Sequence, residues 1–345
     1  MAMLDNEISS QPKVLNSLLE KERKRVEKFA RYLKKTSIRN VFIVARGSSD
    51  NAGIYAKYLF GAKNRMVAAL AAPSIFTMYK RPPILKDHLV LAISQSGESE
   101  DLRQVVSEAS RQGALTVVVT NRPDSPLVTD ADYVFPLHAG VERSVAATKT
   151  YTAELMAMAM LSVALGRSPK LWSSLERLPG VLHDTIRISQ PMEKGAQRYR
   201  YAQRLAVIGR GFNYCTAFEL SLKLKELAYV AAEPSSSADF RHGPIAVVQD
   251  GFPVILVAPT GKTFADLKAL AVTLRQRNAE MMIISDSRRL LRWAQTPLPI
   301  PAGVAEWLSP VVSVVPGQLF ARHLAWAKGC PLDKPRGLEK VTTTL

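Results

Sequence analysis

The chain has 345 residues, of which 47% are apolar and 22% charged, with a formal net charge of +16. That length predicts two domains of ordinary size, each burying its own core, and the composition excludes a disordered or fibrous chain. Cys215 and Cys330 give neither a disulfide framework nor a metal pattern. No apolar run is long enough to span a bilayer, and the N-terminus carries no apolar signal core. The expected setting is cytoplasmic, with no membrane partner.

The first 36 residues are expected to form a helical segment. Within it, "KERKRVEKFARYLKK" sets basic residues among Leu, Val and Phe at helical spacing, which reads as an amphipathic helix with a solvated basic face. The basic excess suits nucleic acid or an anionic small substrate. A nucleic-acid role asks for a recognition helix or a basic groove with aromatics. Neither is found, so nucleic acid is not an expected partner.

A first domain is expected over 37–165, a linker helix over 166–198, a second domain over 199–330 and a tail over 331–345. The strands of the first ("VFIVA", "LVLAIS", "LTVVVT") and of the second ("LAVIG", "PVILVA", "MMIIS") are continuous apolar runs. Such runs mark parallel strands covered on both faces. Each domain reads strand, helix, strand, helix, strand. The helix "EDLRQVVSEASRQG" ends in Gly113, a plausible C-cap. The two domains are copies. Arg46-Gly47 and Arg210-Gly211 lie 164 positions apart, as do Gly97 and Gly261. The fold expected is α/β, with two tandem, doubly wound parallel-sheet domains of flavodoxin type.

The turn after "LVLAIS" holds Ser94, Gln95, Ser96, Gly97, Glu98 and Ser99, just ahead of a helix. In an open parallel sheet, ligands bind beyond the carboxyl ends of the strands, and a helix N-terminus favours an anion. Hydroxyl donors and a glycine at that spot read as a phosphate cradle. A plain helix cap explains one serine, not the group. Gly47, Ser48 and Ser49 follow the first strand and are expected beside the cradle. "ERSVAATKTYT" opens a later helix. In the second copy "APTGKT" replaces the serines, so phosphate binding is expected of the first copy alone.

"FELSLKLKELAYVAAEPSSSADFRHGPIAVV" carries the other chemistry. Glu219, Lys223 and Glu226 stand at i, i+4 and i+7 on one helix face, beside a Leu220, Leu224, Leu227 stripe. That places them at the edge of the core. They form either a surface ion-pair ladder or, together with His242 in an exposed-looking loop, a proton-transfer group.

The segments "SQSGES", "SVAATK", "LKLKELAYVAAE", "RHGP" and "DKPRGLEKVT", in this order over about residues 35 to 345, resemble the sugar isomerase (SIS) family. They look like the isomerase half of glucosamine-6-phosphate synthase and the stand-alone type II glucosamine-6-phosphate deaminases. The resemblance implies that Ser94, Gln95, Ser96 and Ser99 hold a phosphate, with Ser48 nearby, and that Val145 and Ala147 line the sugar. It implies that Glu226 shuttles a proton between C1 and C2, that Lys223 and Glu219 hold the open chain, and that His242 opens the ring from a neighbouring subunit of a homodimer. Lys340 is the tail lysine that closes over the sugar. No metal and no cofactor is implied. Ala147, Ser99 and Glu339 depart from the usual pattern and leave the sugar and leaving group open.

A glutaminase domain is not expected in this chain. The leading expectation is therefore conversion of glucosamine 6-phosphate to fructose 6-phosphate and ammonia. Alternatives are a fructosamine 6-phosphate deglycase, a galactosamine-6-phosphate deaminase, and a non-catalytic sugar-phosphate sensor. The last could dispense with Glu226 and Lys340.

Overall fold

The Val- and Ile-rich runs form strands that are buried along nearly their whole length, as parallel strands covered on both faces must be. The computed structural model describes residues 2–166 and 168–340. Its first half contains α1 (Met3–Leu33), β1 (Asn40–Val44), α2 (Gly47–Asn64), β2 (Val67–Leu70), α3 (Ser74–Thr77), β3 (His88–Ser94), α4 (Glu100–Arg111), β4 (Leu115–Thr120), β5 (Tyr133–Pro136) and α5 (Lys149–Gly166). Next come α6 (Pro169–Ser189) and α7 (Glu193–Gln197). The second half contains β6 (Arg204–Gly209), α8 (Tyr214–Ala228), β7 (Ala231–Ser236), α9 (Ser237–Arg241), β8 (Pro253–Val257), α10 (Phe264–Gln276), β9 (Glu280–Ser285), α11 (Arg288–Leu291), β10 (Thr296–Pro299) and α12 (Ser309–Ala327). Residues 341–345 of the expected tail lie outside the described residues.

The elements fall into two compact units. One takes in residues 10–142, 149–179 and 339–340, and the other residues 2–9, 143–148 and 180–338. The first unit carries a parallel sheet in the order β2-β1-β3-β4-β5. The second carries β10-β9-β8-β6-β7, the same order read from the other edge. This is the doubly wound flavodoxin order, and it occurs once in each copy.

Each sheet has five strands where the apolar runs marked three. The additions are the edge strands β2 ("VAAL") and β5 ("YVFP") in one sheet and β7 ("AAEPSS") and β10 ("TPLP") in the other. They are short, and three of them contain proline, which an edge strand tolerates because one side of its ladder goes unpaired.

Strand order fixes where a ligand can sit. The order reverses between β1 and β3 in the first unit, and between β6 and β8 in the second. The register pairs Val44 with Ala92, so the loops that follow β1 and β3 leave the sheet side by side.

Two long helices are largely buried. In the first unit α5 is buried along almost its whole length, from Lys149 to Val163, and packs on α2. In the second unit α12 packs on α8. That contact is close at Gly317, where a Cβ would stand 2.2 Å from Leu220 Cδ2.

Gly to Ala in a helix interior ordinarily stabilises by about 1 kcal/mol. Gly317→Ala should instead destabilise by about 1–3 kcal/mol, because a methyl forced into a filled contact displaces α8. Denaturant unfolding measures the difference; an unchanged or higher stability would mean that the two helices can separate without loss.

Candidate active site

In the first unit, the loop after β3 folds on its own hydroxyls. Ser94 Oγ accepts from the Gly97 N–H at 3.1 Å, and Ser96 Oγ accepts from the Glu98 N–H at 3.3 Å. Two of the loop's donors are therefore used internally, and each hydroxyl keeps its own proton to donate. Ser99 occupies the N-cap position of α4, yet its side chain makes no cap bond. Gln95, Ser96 and Ser99 are half-buried and Ser94 is buried.

Gly97 has φ +67°, and a Cβ there would lie 1.9 Å from Ser125 Oγ. The glycine is thus required by its left-handed backbone and by the close approach of Ser125. The sequence suggested a different reason, the approach of a ligand.

The loop after β1 brings Gly47, Ser48 and Ser49 alongside. Gly47 and Ser48 open α2 at the loop's edge. Ser49 is turned inward: its hydroxyl donates to Glu154 Oε1 of α5 at 2.7 Å, in the core. Its side chain is engaged in packing α2 onto α5, not in lining the loop. In the first turn of α2, burial pushes the Asp50 carboxyl above its ordinary value, against the pull of Arg46.

Arg46 itself was not singled out by the sequence for chemistry. Its Nε donates to Asp101 Oδ2 at 2.8 Å, and Asp101 is fully buried in the first turn of α4. The second copy repeats this pair: Arg210 lies 3.6 Å from Asp266, in the first turn of α10.

In that copy the loop after β8 is filled from within the chain. Glu306 Oε1 accepts from the Thr263 N–H at 3.2 Å, and a Cβ on Gly261 would meet the Glu306 side chain at 2.4 Å. An internal carboxylate therefore stands at the start of α10, where an anion is favoured.

The polar face of α8 is more deeply placed than the edge position that its spacing suggested. Glu219 and Lys223 are buried, and their side chains are 0% and 1% exposed. Lys223 Nζ lies 3.4 Å from Glu219 Oε1 and 2.5 Å from Glu226 Oε2. A buried ammonium needs opposite charge close by. Glu219 supplies that inside the core, while Glu226 keeps 19% of its side chain in solvent. The surface-ladder alternative is thereby removed. What remains is a charge-paired lysine with one carboxylate reaching outward.

His242 lies elsewhere in the same unit, on the exposed turn after α9. No hydrogen bond joins it to the three α8 side chains. Its mount is rigid. Ser236 accepts from the Asp239 N–H at 3.0 Å, the His242 N–H donates to Asp239 O at 3.0 Å, and Arg241 donates to Asp266 at 2.8 Å. Ser237 Oγ donates to the same carboxylate. Partial burial would raise the Asp266 carboxyl, but the Ser237 bond and the Arg241 and Arg210 guanidiniums outweigh it and hold it below the usual range.

Val145 and Ala147 are half-buried, in the segment 143–148 that belongs to the same unit as α8. There Glu7 accepts from the Arg143 and Ser144 N–H groups. Lys340 belongs to the other unit and donates to Glu142 Oε2 at 2.8 Å. The same buried carboxylate also accepts from Thr150 Oγ1 at 2.7 Å. Glu142 gave no sequence signal, since its partner stands 198 positions away.

Among the described residues there is no cluster of three or more His, Cys, Asp or Glu able to hold a metal, and no helix long and apolar enough to cross a membrane.

The SIS domain model matches the chain twice, over residues 36–164 and 199–327. The glutamine–fructose-6-phosphate aminotransferase (isomerizing) of Pyrococcus horikoshii is 34% identical over 98% of this chain and 57% of its own length. The chain thus spans little more than half of such curated relatives. A crystal structure from Silicibacter pomeroyi, of a protein called a candidate phosphosugar isomerase, aligns with a TM-score of 0.87 at 31% identity, over 96% of this chain and 99% of that one. Glucosamine-6-phosphate deaminase from Thermotoga maritima has the same fold, with a TM-score of 0.80 at 20% identity over 99% and 100% of the two chains.

The Asp266 cluster is testable by pH. A carboxyl held below its ordinary value contributes stability above the unfolded pKa, and loses it as pH falls through the lowered folded value. The melting temperature of Asp266→Asn should lie below that of the parent at neutral pH, and the gap should close in acid. A gap independent of pH would show that the charge is not what ties α9 to α10.

Proposed function

The chain belongs to the SIS domain family, and from that premise we propose that it converts glucosamine 6-phosphate to fructose 6-phosphate and ammonia. The observation that carries this reading is the α8 face, where a buried lysine is paired with two carboxylates and only Glu226 keeps part of its side chain in solvent. A carboxylate so placed suits proton transfer at carbon. The names of the relatives, an isomerizing aminotransferase and a glucosamine-6-phosphate deaminase, support the substrate class.

In this reading the phosphate monoester is taken by Ser94, Gln95, Ser96 and Ser99, with Ser48 and Gly47 beside them. His242 assists transfer of the C1-hydroxyl proton to the ring oxygen and opens the pyranose to the C1 aldehyde. Glu226 removes the C2 proton; the electron pair forms the C1–C2 double bond, and the carbonyl pair moves to O1, which takes a proton, to give an enolamine. Glu226 then returns the proton to C1, which leaves an imine at C2. Water adds to that imine, ammonia departs, and the C2 ketone of fructose 6-phosphate remains. The C1 aldehyde takes up the electron pair in the first proton transfer, and the amine lone pair forms the C2 imine in the second.

Lys223 and Glu219 hold the open-chain oxygens, Val145 and Ala147 line the sugar, and Lys340 closes over it. The working form is a homodimer in which His242 serves the neighbouring copy. The exposure of that histidine on a fixed turn supports this part of the reading.

Ammonia release should be measured side by side on glucosamine 6-phosphate, galactosamine 6-phosphate and a fructosamine 6-phosphate. The first should be the best substrate; amino-acid release from the third at a higher kcat/KM would make the chain a deglycase instead. Glu226→Gln should lower kcat by about 100- to 10,000-fold while sugar-phosphate binding persists. Near-normal turnover in that variant would remove Glu226 as the base.

A further inference from the structure

We propose that Arg46 is a direct ligand of the phosphate, supplying the cation that the serine loop lacks. The inference rests on the cradle reading above and adds to it a residue that the family motifs do not single out.

Three observations converge on this side chain. The register of β1 and β3 sets Val44 against Ala92, which brings Arg46, two residues on, beside Ser94 at the start of the loop. The guanidinium is anchored at one end only. Its Nε donates to Asp101, two residues beyond Ser99, and this is the one side-chain hydrogen bond of Arg46 among the described residues, although its charge is also felt by Asp50 in the first turn of α2. Its side chain is 49% exposed, whereas that of Asp101 is 1% exposed. The four N–H donors on the two terminal nitrogens make no hydrogen bond to a described residue, while Nε is tied to the first turn of the helix that follows the serine loop. A forked guanidinium fixed through Nε is suited to a two-point bond with a phosphate.

The second copy provides the contrast. Arg210 stands near Asp266 through a terminal nitrogen at 3.6 Å instead of a bond from Nε, that nitrogen also reaches Ser237 Oγ at 3.4 Å, and Glu306 already stands at the start of α10. There a terminal nitrogen is engaged by the protein, and a carboxylate occupies the helix start. Retention of the pair in both copies also permits a purely structural role for Arg46, which the experiment must separate from binding.

The full chain is titrated with glucosamine 6-phosphate, unphosphorylated glucosamine and inorganic phosphate. The parent, Arg46→Gln, Arg46→Lys, Asp101→Asn and Ser96→Ala/Ser99→Ala are compared, with melting curves on each. Arg46→Gln should weaken binding of glucosamine 6-phosphate by about 10- to 100-fold, the scale of a lost charged hydrogen bond. It should abolish the rise in melting temperature given by inorganic phosphate and leave glucosamine binding unchanged. Arg46→Lys should fall between, because it keeps the charge and loses the fork.

If the parent does not distinguish the phosphorylated sugar from glucosamine, the cradle reading itself fails, and this proposal with it. If the parent and the serine variant behave as expected, but Arg46→Gln and Arg46→Lys bind the phosphorylated sugar like the parent, Arg46 is only the partner of Asp101. Should Arg46→Gln fail to fold, Arg46→Lys decides by the same comparison. Equal weakening of glucosamine and its phosphate in either variant would also overturn the proposal.

Discussion

Everything at the proposed sites depends on how a parallel sheet in the order 2-1-3-4-5 ends. Where the order reverses, the helices after two adjacent strands run back on opposite faces of the sheet, and their first N–H groups are left without intrahelical partners. Those groups need an acceptor, which Asp101 supplies to the Leu102 N–H in the first copy and Glu306 to the Thr263 N–H in the second. Both copies also set an arginine after the first strand against an aspartate in the first turn of the next crossover helix. They differ in what fills the remaining space. One copy has a loop of hydroxyls at the crevice, and the other places the Glu306 carboxylate there.

The α8 face shows a different economy. A lysine in a core is a liability unless charge is matched on the spot, and removal of one partner of such a group costs far more than the pair contributes. Of the two carboxylates beside the ammonium, Glu226 is the member that keeps contact with water, while Glu219 takes the fully buried position. The close seat of Gly317 against Leu220 then fixes the helix that carries all three. Backbone packing and side-chain charge act on one element, which is what a group required to meet a carbon-bound proton needs.

Much of this was legible in the chain. The strands β1, β3, β4, β6, β8 and β9 announce themselves because burial on both faces demands unbroken apolar runs. The duplication is visible because the glycines and arginines keep their spacing. The edge strands β2, β5, β7 and β10 escape the same logic, since one side of an edge strand needs no partner and its composition is freer. The i, i+4, i+7 spacing put Glu219, Lys223 and Glu226 on one face of α8 but underrated their depth, because periodicity gives direction around a helix and says nothing of what packs outside it. Ser49 looks like Ser48 in the sequence. Only the approach of Glu154, 105 positions on, turns one inward while the other stays at the loop. Glu142 and Glu306 were invisible for the same reason, being single carboxylates that meet Lys340 and Thr263 only across long stretches of chain.

The repeated Arg–Asp pair also explains how one copy could change without losing the other's geometry. Because Asp101 and Asp266 are each held by an arginine from a neighbouring loop, the first turn of the crossover helix is fixed independently of what occupies the crevice. The loop residues are then free to diverge. In the second copy Arg241 and Ser237 have joined the same carboxylate, and two guanidiniums now converge on Asp266. In the second copy the shared carboxylate thereby also ties down the short helix that leads into His242. A single repeated ion pair thus fixes the first turn of the crossover helix in both copies while the residues around it diverge.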